Sequence, residues 1–163
     1  MKRLLILAVC LVTACSGGDF IASRAELFVR KTYNDVDRIL SVGVDTVTYG
    51  DNLEYRIEMA NRDVEFAERM FQSYPNERNE KDLMGRKAWV AALDSLKAVS
   101  GSVLDKPAAY NCIVVYNNPG NITWVQLDEY GNLQNITKEV EKLLLNPGHD
   151  VPGYLDVWKK YRK

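Results

Sequence analysis

Helical spacing of apolar residues is clearest between residues 51 and 74. Apolar side chains recur there at intervals of four, three, four, three and four, which places them on one face of a helix: Leu53, Ile57, Ala60, Val64, Ala67 and Phe71. Asp51 is placed to cap the start of this helix, with Glu54 three residues later as its capping-box partner. The Tyr74-Pro75 pair ends it, because the residue before a proline avoids the helical conformation.

Two further helical segments flank this one. The first covers residues 23–40, and the third begins near Asn79, as its cap, and continues to residue 99. A short turn joins the second and third segments, which predicts an antiparallel helical hairpin. Between the first two segments, residues 42–49 are rich in β-branched side chains and form either a short strand or an extended connection.

The second half of the chain has the character of β-strands. Residues 110–116, 121–128 and 133–136 each predict a strand, and turns at 117–120 and 129–132 separate them. These strands form a three-stranded antiparallel meander. Thr137 then caps a short helix over residues 137–145, and Pro152 begins a last helix with Tyr154, Trp158 and Tyr161 on one side. The fold class is therefore α+β: N-terminal helices including the hairpin, then the meander, then short C-terminal helices, with the hairpin packed on one face of the sheet.

The N-terminus carries the features of an export signal. Lys2 and Arg3 precede an apolar run over residues 4–12, which is too short to cross a bilayer, since that needs about 20 apolar residues. The run ends in Val12-Thr13-Ala14-Cys15. This resembles the lipobox of bacterial lipoproteins: an aliphatic residue, two small residues and the cysteine that is acylated.

The resemblance covers residues 1–15 and implies cleavage after Ala14, a lipid on Cys15 and membrane anchoring in the cell envelope. Ser16 in place of an aspartate favours the outer membrane where the organism has one. The alternative is a plain secretory signal that leaves Cys15 as a thiol. The predicted organisation is a signal peptide at 1–14, the acylated cysteine with a short tether at 15–21, and a single globular domain at 22–163.

Charge and cysteine content narrow the possible functions of the mature chain. Loss of residues 1–14 removes Lys2 and Arg3 and leaves 19 basic against 22 acidic residues, a net charge of −3. That balance does not indicate nucleic-acid binding. Cys112 is the one cysteine left besides Cys15, which excludes an intramolecular disulfide. With a single histidine, His149, the chain also lacks the residues for a metal site built from several Cys and His.

Candidate catalytic residues are few. Cys112 and His149 are the one possible nucleophile–base pair, but Cys112 lies in an apolar strand and His149 in a loop rich in Pro and Gly. The acids of the second helix alternate with Arg56, Arg62 and Arg69, which is typical of a solvated face rather than of two opposed catalytic carboxyls. The sequence has no phosphate-binding loop, zinc-protease motif or nucleophile elbow.

Aromatic and amide residues around the meander are the remaining lead. Trp124, Tyr116, Tyr130 and Asn118 are the residues that we expect to contact a carbohydrate, if Trp124 faces solvent rather than the helices. The leading hypothesis is a non-catalytic envelope module, without a cofactor, that binds an envelope protein or a glycan. The alternatives are a carbohydrate-binding surface at Trp124, a hydrolase that uses Cys112, and a purely structural or assembly role.

Overall fold

Four helices and four strands make up residues 17–145 and 147–161, the part of the chain that the computed structural model describes. They are α1 (Gly17–Thr32), β1 (Ile39–Thr48), α2 (Tyr49–Ser73), α3 (Glu77–Ser100), β2 (Pro107–Tyr116), β3 (Ile122–Asp128), β4 (Leu133–Thr137) and α4 (Tyr154–Tyr161). Short 3-10 turns cover Gly101–Val103 and Val140–Lys142. The predicted signal peptide and the predicted acylation site, Cys15, lie outside the described residues. None of the helices in these ranges is both long and apolar enough to cross a bilayer.

The sheet has four antiparallel strands in the order β1-β2-β3-β4, so the prediction of a three-stranded meander is wrong. The additional strand is β1, which includes Ile39 and Leu40, two residues assigned to the first helix. That helix ends at Thr32 instead. The helical hairpin is inserted between β1 and β2, so the order of helices first and strands afterwards is also wrong. Residues 42–48, predicted as part of a short strand or an extended connection, belong to β1, but the local pattern did not indicate their pairing with β2, about sixty residues further on.

The described residues divide into two compact units. The first, here called the sheet unit, consists of residues 17–45 and 110–144. The second, here called the hairpin unit, consists of residues 46–109, 145 and 147–161. The expectation that residues 22–163 form a single domain stays a prediction.

The core of the sheet unit lies between α1 and the strands. Ile21, Ala25 and Val29 recur every four residues on α1, which forms one buried stripe on that helix. Their partners from the strands are all fully buried: Cys112, Val114, Tyr116, Val125 and Leu127. Arg24 fixes the helix to the β3–β4 turn by donating from Nε to the carbonyl oxygen of Gly131 at 3.1 Å. Residues 17–21, expected to form part of the tether, are already helical.

The hairpin unit begins without a loop, because the last residue of β1 also caps α2. The hydroxyl of Thr48 accepts a hydrogen bond from the backbone N–H of Asp51, whose carboxylate accepts one from the backbone N–H of Thr48. This capping box lies three residues before the predicted one. Asn76, not Asn79, caps α3, and its side-chain oxygen accepts from the backbone N–H of Asn79 at 2.9 Å.

The predicted antiparallel hairpin of α2 and α3 is present. Two ion pairs join the helices, with Lys97 2.6 Å from Glu54 and Lys87 2.8 Å from Glu68. The later residue of α2 pairs with the earlier residue of α3, as antiparallel packing requires. The core of the unit combines both helices with α4 and the loop before it: Leu53, Ala60, Trp89, Leu93, Leu96, Val151 and Tyr154. The apolar spacing along α2 therefore predicted its buried side.

The predicted helix over residues 137–145 is wrong. Thr137 is the last residue of β4, and the chain beyond it makes one 3-10 turn. Side-chain hydrogen bonds hold this segment: Asn135 donates to the carbonyl oxygen of Lys142 at 2.9 Å, and the backbone N–H of Leu144 donates to Gln126 at 2.7 Å. The last helix begins at Tyr154, two residues after the predicted start.

Candidate functional site

Cys112 is buried in the core of the sheet unit. Its side chain has no solvent exposure, and burial raises the pKa of the thiol to about 12. A nucleophilic cysteine acts as the thiolate and needs a lowered pKa in a position that a substrate can reach. Cys112 has the opposite properties, so it packs as a small apolar side chain.

Native protein is therefore expected to resist alkylation at Cys112. Iodoacetamide at pH 8 should leave Cys112 of the folded protein unmodified for hours, because the side chain is buried and its raised pKa keeps the thiol protonated well above that pH. The same reagent should modify it fully once guanidinium chloride unfolds the chain. Intact mass measures the adduct, and Cys112→Ser gives the background. Stoichiometric labelling of the native protein within minutes would contradict the assignment.

The loop around His149 has a structural role. Asn52, buried on α2, donates from Nδ2 to the carbonyl oxygens of Pro147 at 2.9 Å and of His149 at 3.3 Å. The guanidinium of Arg56 binds both carboxylate oxygens of Asp150, at 3.1 and 3.3 Å, and lies over the ring of Tyr154. These contacts hold the loop to α2.

The carboxylates of the helices are occupied by ion pairs. Glu54 pairs with Lys97, Glu58 with Arg62 and Glu68 with Lys87, all with exposed or half-exposed side chains. Across residues 17–145 and 147–161, no three Asp, Glu, His or Cys side chains come together as a metal site requires. The acids of α2 thus behave as the solvated face that the sequence indicates.

The four residues proposed as a carbohydrate surface do not converge. Tyr116 is fully buried, with its ring stacked on Tyr33 at a centroid distance of 6.1 Å. Trp124 is half-buried, and strand alternation turns it away from the core that holds Val125.

Asn118 and Tyr130 are exposed in the turns at opposite ends of β3, separated by roughly 20 Å of strand. Asn118 organises its turn by accepting a hydrogen bond from the backbone N–H of Gly120 at 3.0 Å. A carbohydrate contact stays a prediction for Trp124, Tyr130 and Asn118, whereas Tyr116 has no surface exposed for one.

Gln126, next to Trp124 on the same face of β3, is the centre of a buried amide network. Its Nε2 donates to Asn111 at 2.9 Å and to the carbonyl oxygen of Leu144 at 3.0 Å. Its Oε1 accepts from Asn135 at 3.0 Å and from the backbone N–H of Leu144 at 2.7 Å. All the hydrogen-bonding positions of the amide are thus used, which indicates a structural role.

The hairpin unit contains a groove that no sequence pattern indicated, here called the aromatic groove. It has a volume of about 540 Å³, within the usual range for small-ligand sites of roughly 300–1,000 Å³. Side chains from three helices line it: Asp63 on α2, Lys81, Asp82, Gly85, Arg86 and Trp89 on α3, and Trp158 and Tyr161 on α4.

The aromatic walls of this groove differ in how firmly they are held. Trp89 is 8% exposed and meets Tyr154 edge-on at 6.0 Å, so it is part of the core. Trp158 and Tyr161 keep 40% and 38% of their surface exposed. Their spacing of three residues on α4 places both rings on the same side of that helix.

The polar groups of the groove are fixed by each other. Arg86 donates from Nε to a carboxylate oxygen of Asp82 at 2.9 Å, and its Nη1 lies 3.6 Å from a carboxylate oxygen of Asp63. Lys81 pairs with Glu77 at 2.6 Å one turn away. With two acids and two bases, the lining of the groove is neutral overall.

Gly85 forms an open part of the groove. Glycine in a helix interior costs about 1 kcal/mol relative to alanine. A Cβ built on Gly85 meets no described atom within 4 Å, so packing against the described residues does not require the glycine. The interior glycine and the aromatic spacing in α4 were both visible in the sequence, but no local signal indicated that they face one groove.

A second groove along the hairpin provides a contrast. It has a volume of about 450 Å³ and is lined by Glu54, Ile57, Glu58, Asn61, Arg62, Glu65, Asp94 and Lys97. It contains no aromatic side chain, and acids outnumber bases in its lining. The aromatic groove is therefore the better candidate for binding an organic ligand.

No protein-family model, no curated protein and no solved structure matches this chain.

Proposed function

We propose that this protein is a lipid-anchored, non-catalytic binding module of the bacterial cell envelope. The observation that carries the proposal is the run Val12-Thr13-Ala14-Cys15 behind Lys2, Arg3 and an apolar segment. Acyl chains on Cys15 would hold the protein at a bilayer, since each buried methylene group contributes about 0.8 kcal/mol.

Three features of the described residues support a binding role rather than catalysis. Cys112, the candidate nucleophile, is buried with a raised pKa. The loop of His149 is held by structural contacts from Asn52 and Arg56. The carboxylates along α2 form ion pairs with neighbouring bases. The aromatic groove, by contrast, combines exposed rings with polar groups held in place, which is the usual composition of a ligand site.

Metabolic labelling tests the anchor. The full-length precursor, expressed in a bacterial host with radiolabelled palmitate, is expected to become labelled and to fractionate with membranes. Cys15→Ser should lose both properties, because it removes the acylated sulfur. Cys112→Ser is the matched control and should behave as wild type, since that thiol is buried. An unlabelled wild-type protein in the soluble fraction, or labelling that persists in Cys15→Ser, would refute the proposal.

A further inference from the structure

We propose that the aromatic groove binds a neutral oligosaccharide, with a sugar ring packed on Trp158 and Tyr161 and its hydroxyl groups bound by the Asp63–Arg86–Asp82 cluster. The inference deepens the proposed function by naming the ligand class, and it rests on that function for the compartment in which the sugar is met. Binding itself can be measured whether or not the anchor is present.

Exposed rings on α4 match the apolar part of a sugar. A pyranose presents a face of C–H bonds with hydroxyl groups around its rim. The faces of Trp and Tyr carry partial negative charge, which attracts the weakly positive hydrogens of such a face. Trp158 and Tyr161 keep 40% and 38% of their surface exposed, and because Lys160 Nζ lies 5.2 Å from the centroid of the Tyr161 ring, Trp158 offers the freer ring face.

The cluster around Arg86 matches the rim of hydroxyl groups. A hydroxyl both donates and accepts hydrogen bonds, so its partner should offer both kinds of group. Arg86 supplies N–H donors, and Asp82 and Asp63 supply acceptors, with Arg86 held at 2.9 Å from Asp82. Because these groups are already ordered by their mutual pairing, little further ordering is needed on binding.

The charge balance of the groove favours a neutral ligand over a charged one. An anionic ligand would approach Asp63 and Asp82, and a cationic one would approach Arg86 and Lys81. In each case like charges oppose binding, whereas a neutral sugar avoids both penalties.

Gly85 provides an independent observation. It weakens α3, and no described atom packs within 4 Å of its missing side chain. The space that it leaves is the groove itself. A side chain placed there should occupy the ligand's volume while improving the helix, so loss of binding can be separated from loss of folding.

Isothermal titration calorimetry on full-length protein in detergent tests the inference. The probes are the β-1,4-linked tetramers of N-acetylglucosamine and of glucose, both neutral, and a hyaluronan tetrasaccharide, which is anionic. We expect at least one neutral tetramer to bind and the anionic one to bind at least about tenfold more weakly. Trp158→Ala and Gly85→Phe should each lower the affinity for the neutral tetramer by about tenfold or more.

Two control variants locate the site. Asn61→Phe adds the same ring to the other groove and should leave binding unchanged. Trp124→Ala alters the sheet unit and should also leave it unchanged. Gly85→Phe should unfold at a temperature no lower than wild type, because phenylalanine is the better helix former.

Three results would overturn the inference. They are no heat of binding from either neutral tetramer at millimolar concentration, full binding by Gly85→Phe, or loss of binding in Trp124→Ala with Trp158→Ala unaffected. Palmitate labelling decides the anchor separately. If the protein is acylated but binds no sugar, the inference about the aromatic groove is wrong and the proposed anchor stands. If it binds sugar without being acylated, the proposed anchor is wrong and the inference about the groove stands.

Discussion

Gly148→Ala is expected to destabilise the hairpin unit by at least about 3 kcal/mol. Gly148 has a φ of +86°, a conformation that side chains other than glycine rarely adopt. A Cβ at this position would overlap the carbonyl oxygen of Ala108 and lie 2.6 Å from its carbonyl carbon. Those atoms belong to the backbone at the start of β2, so they cannot rotate away as the end of a flexible side chain could.

Urea denaturation followed by circular dichroism measures this loss. Gly153→Ala is the matched control for the backbone conformation, with a φ of +90° but only the flexible end of Leu96 nearby, at 3.3 Å. It should lose clearly less stability. Gly85→Ala, in the helix interior, should instead gain about 1 kcal/mol. A Gly148→Ala midpoint equal to that of wild type would show that the loop moves away from β2 without strain.

Gln126→Leu is expected to have the second large effect. It should lower the free energy of unfolding by about 2–4 kcal/mol. Gln126 is 2% exposed and forms four hydrogen bonds. Leucine fills the volume but leaves the amide of Asn111 and both backbone groups of Leu144 without their partner. Buried polar groups that lose a partner account for most of the expected loss.

The Gln126→Glu variant tests the same network by its pH dependence. Burial should raise the pKa of the introduced carboxyl, so the folded state binds a proton at a higher pH than the unfolded state. The loss of stability should therefore be largest near pH 7 and shrink as the pH falls through the raised pKa. Gln72→Leu, at an exposed position on α2, is the control and should change stability by no more than about 0.5 kcal/mol. A loss in Gln126→Leu as small as in this control would refute the role of the network.

The regular elements were the easiest part of the fold to predict. The apolar spacing along α2 repeats over several turns, and it gave the helix and its buried side correctly. Its cap was misplaced by three residues, because Thr48 looked like part of an extended segment and is in fact both the end of β1 and the cap. The three later strands lie close to their predicted positions, since turn residues bound each of them.

Local patterns indicated only part of β1, because the β-branched residues between 42 and 49 predicted either a short strand or an extended connection. Val36, Ile39 and Leu40 fit a helical spacing, and only pairing with β2 makes Ile39–Thr48 a strand. Such pairing joins segments separated by the whole helical hairpin. For a similar reason, Tyr116 was proposed as a ligand contact although it is fully buried: alternation along a strand gives two faces without identifying the one that meets α1.

The aromatic groove could not be predicted from local patterns, because its lining comes from three helices that are separated in the sequence. Trp158 and Tyr161 were placed correctly on one side of the last helix. Gly85 is visible in the sequence as a glycine within the third helical segment, but only the packing of α4 against α3 shows that it lines a groove.

The start of α1 at Gly17, two residues after Cys15, determines how an acylated protein would search for its ligand. Two residues of chain can span at most about 7 Å, about the thickness of one headgroup layer. The sheet unit would then move with the lipids, in two dimensions. A ligand that is itself confined to the membrane surface would be met at a high effective concentration, so even a groove of millimolar affinity would be occupied.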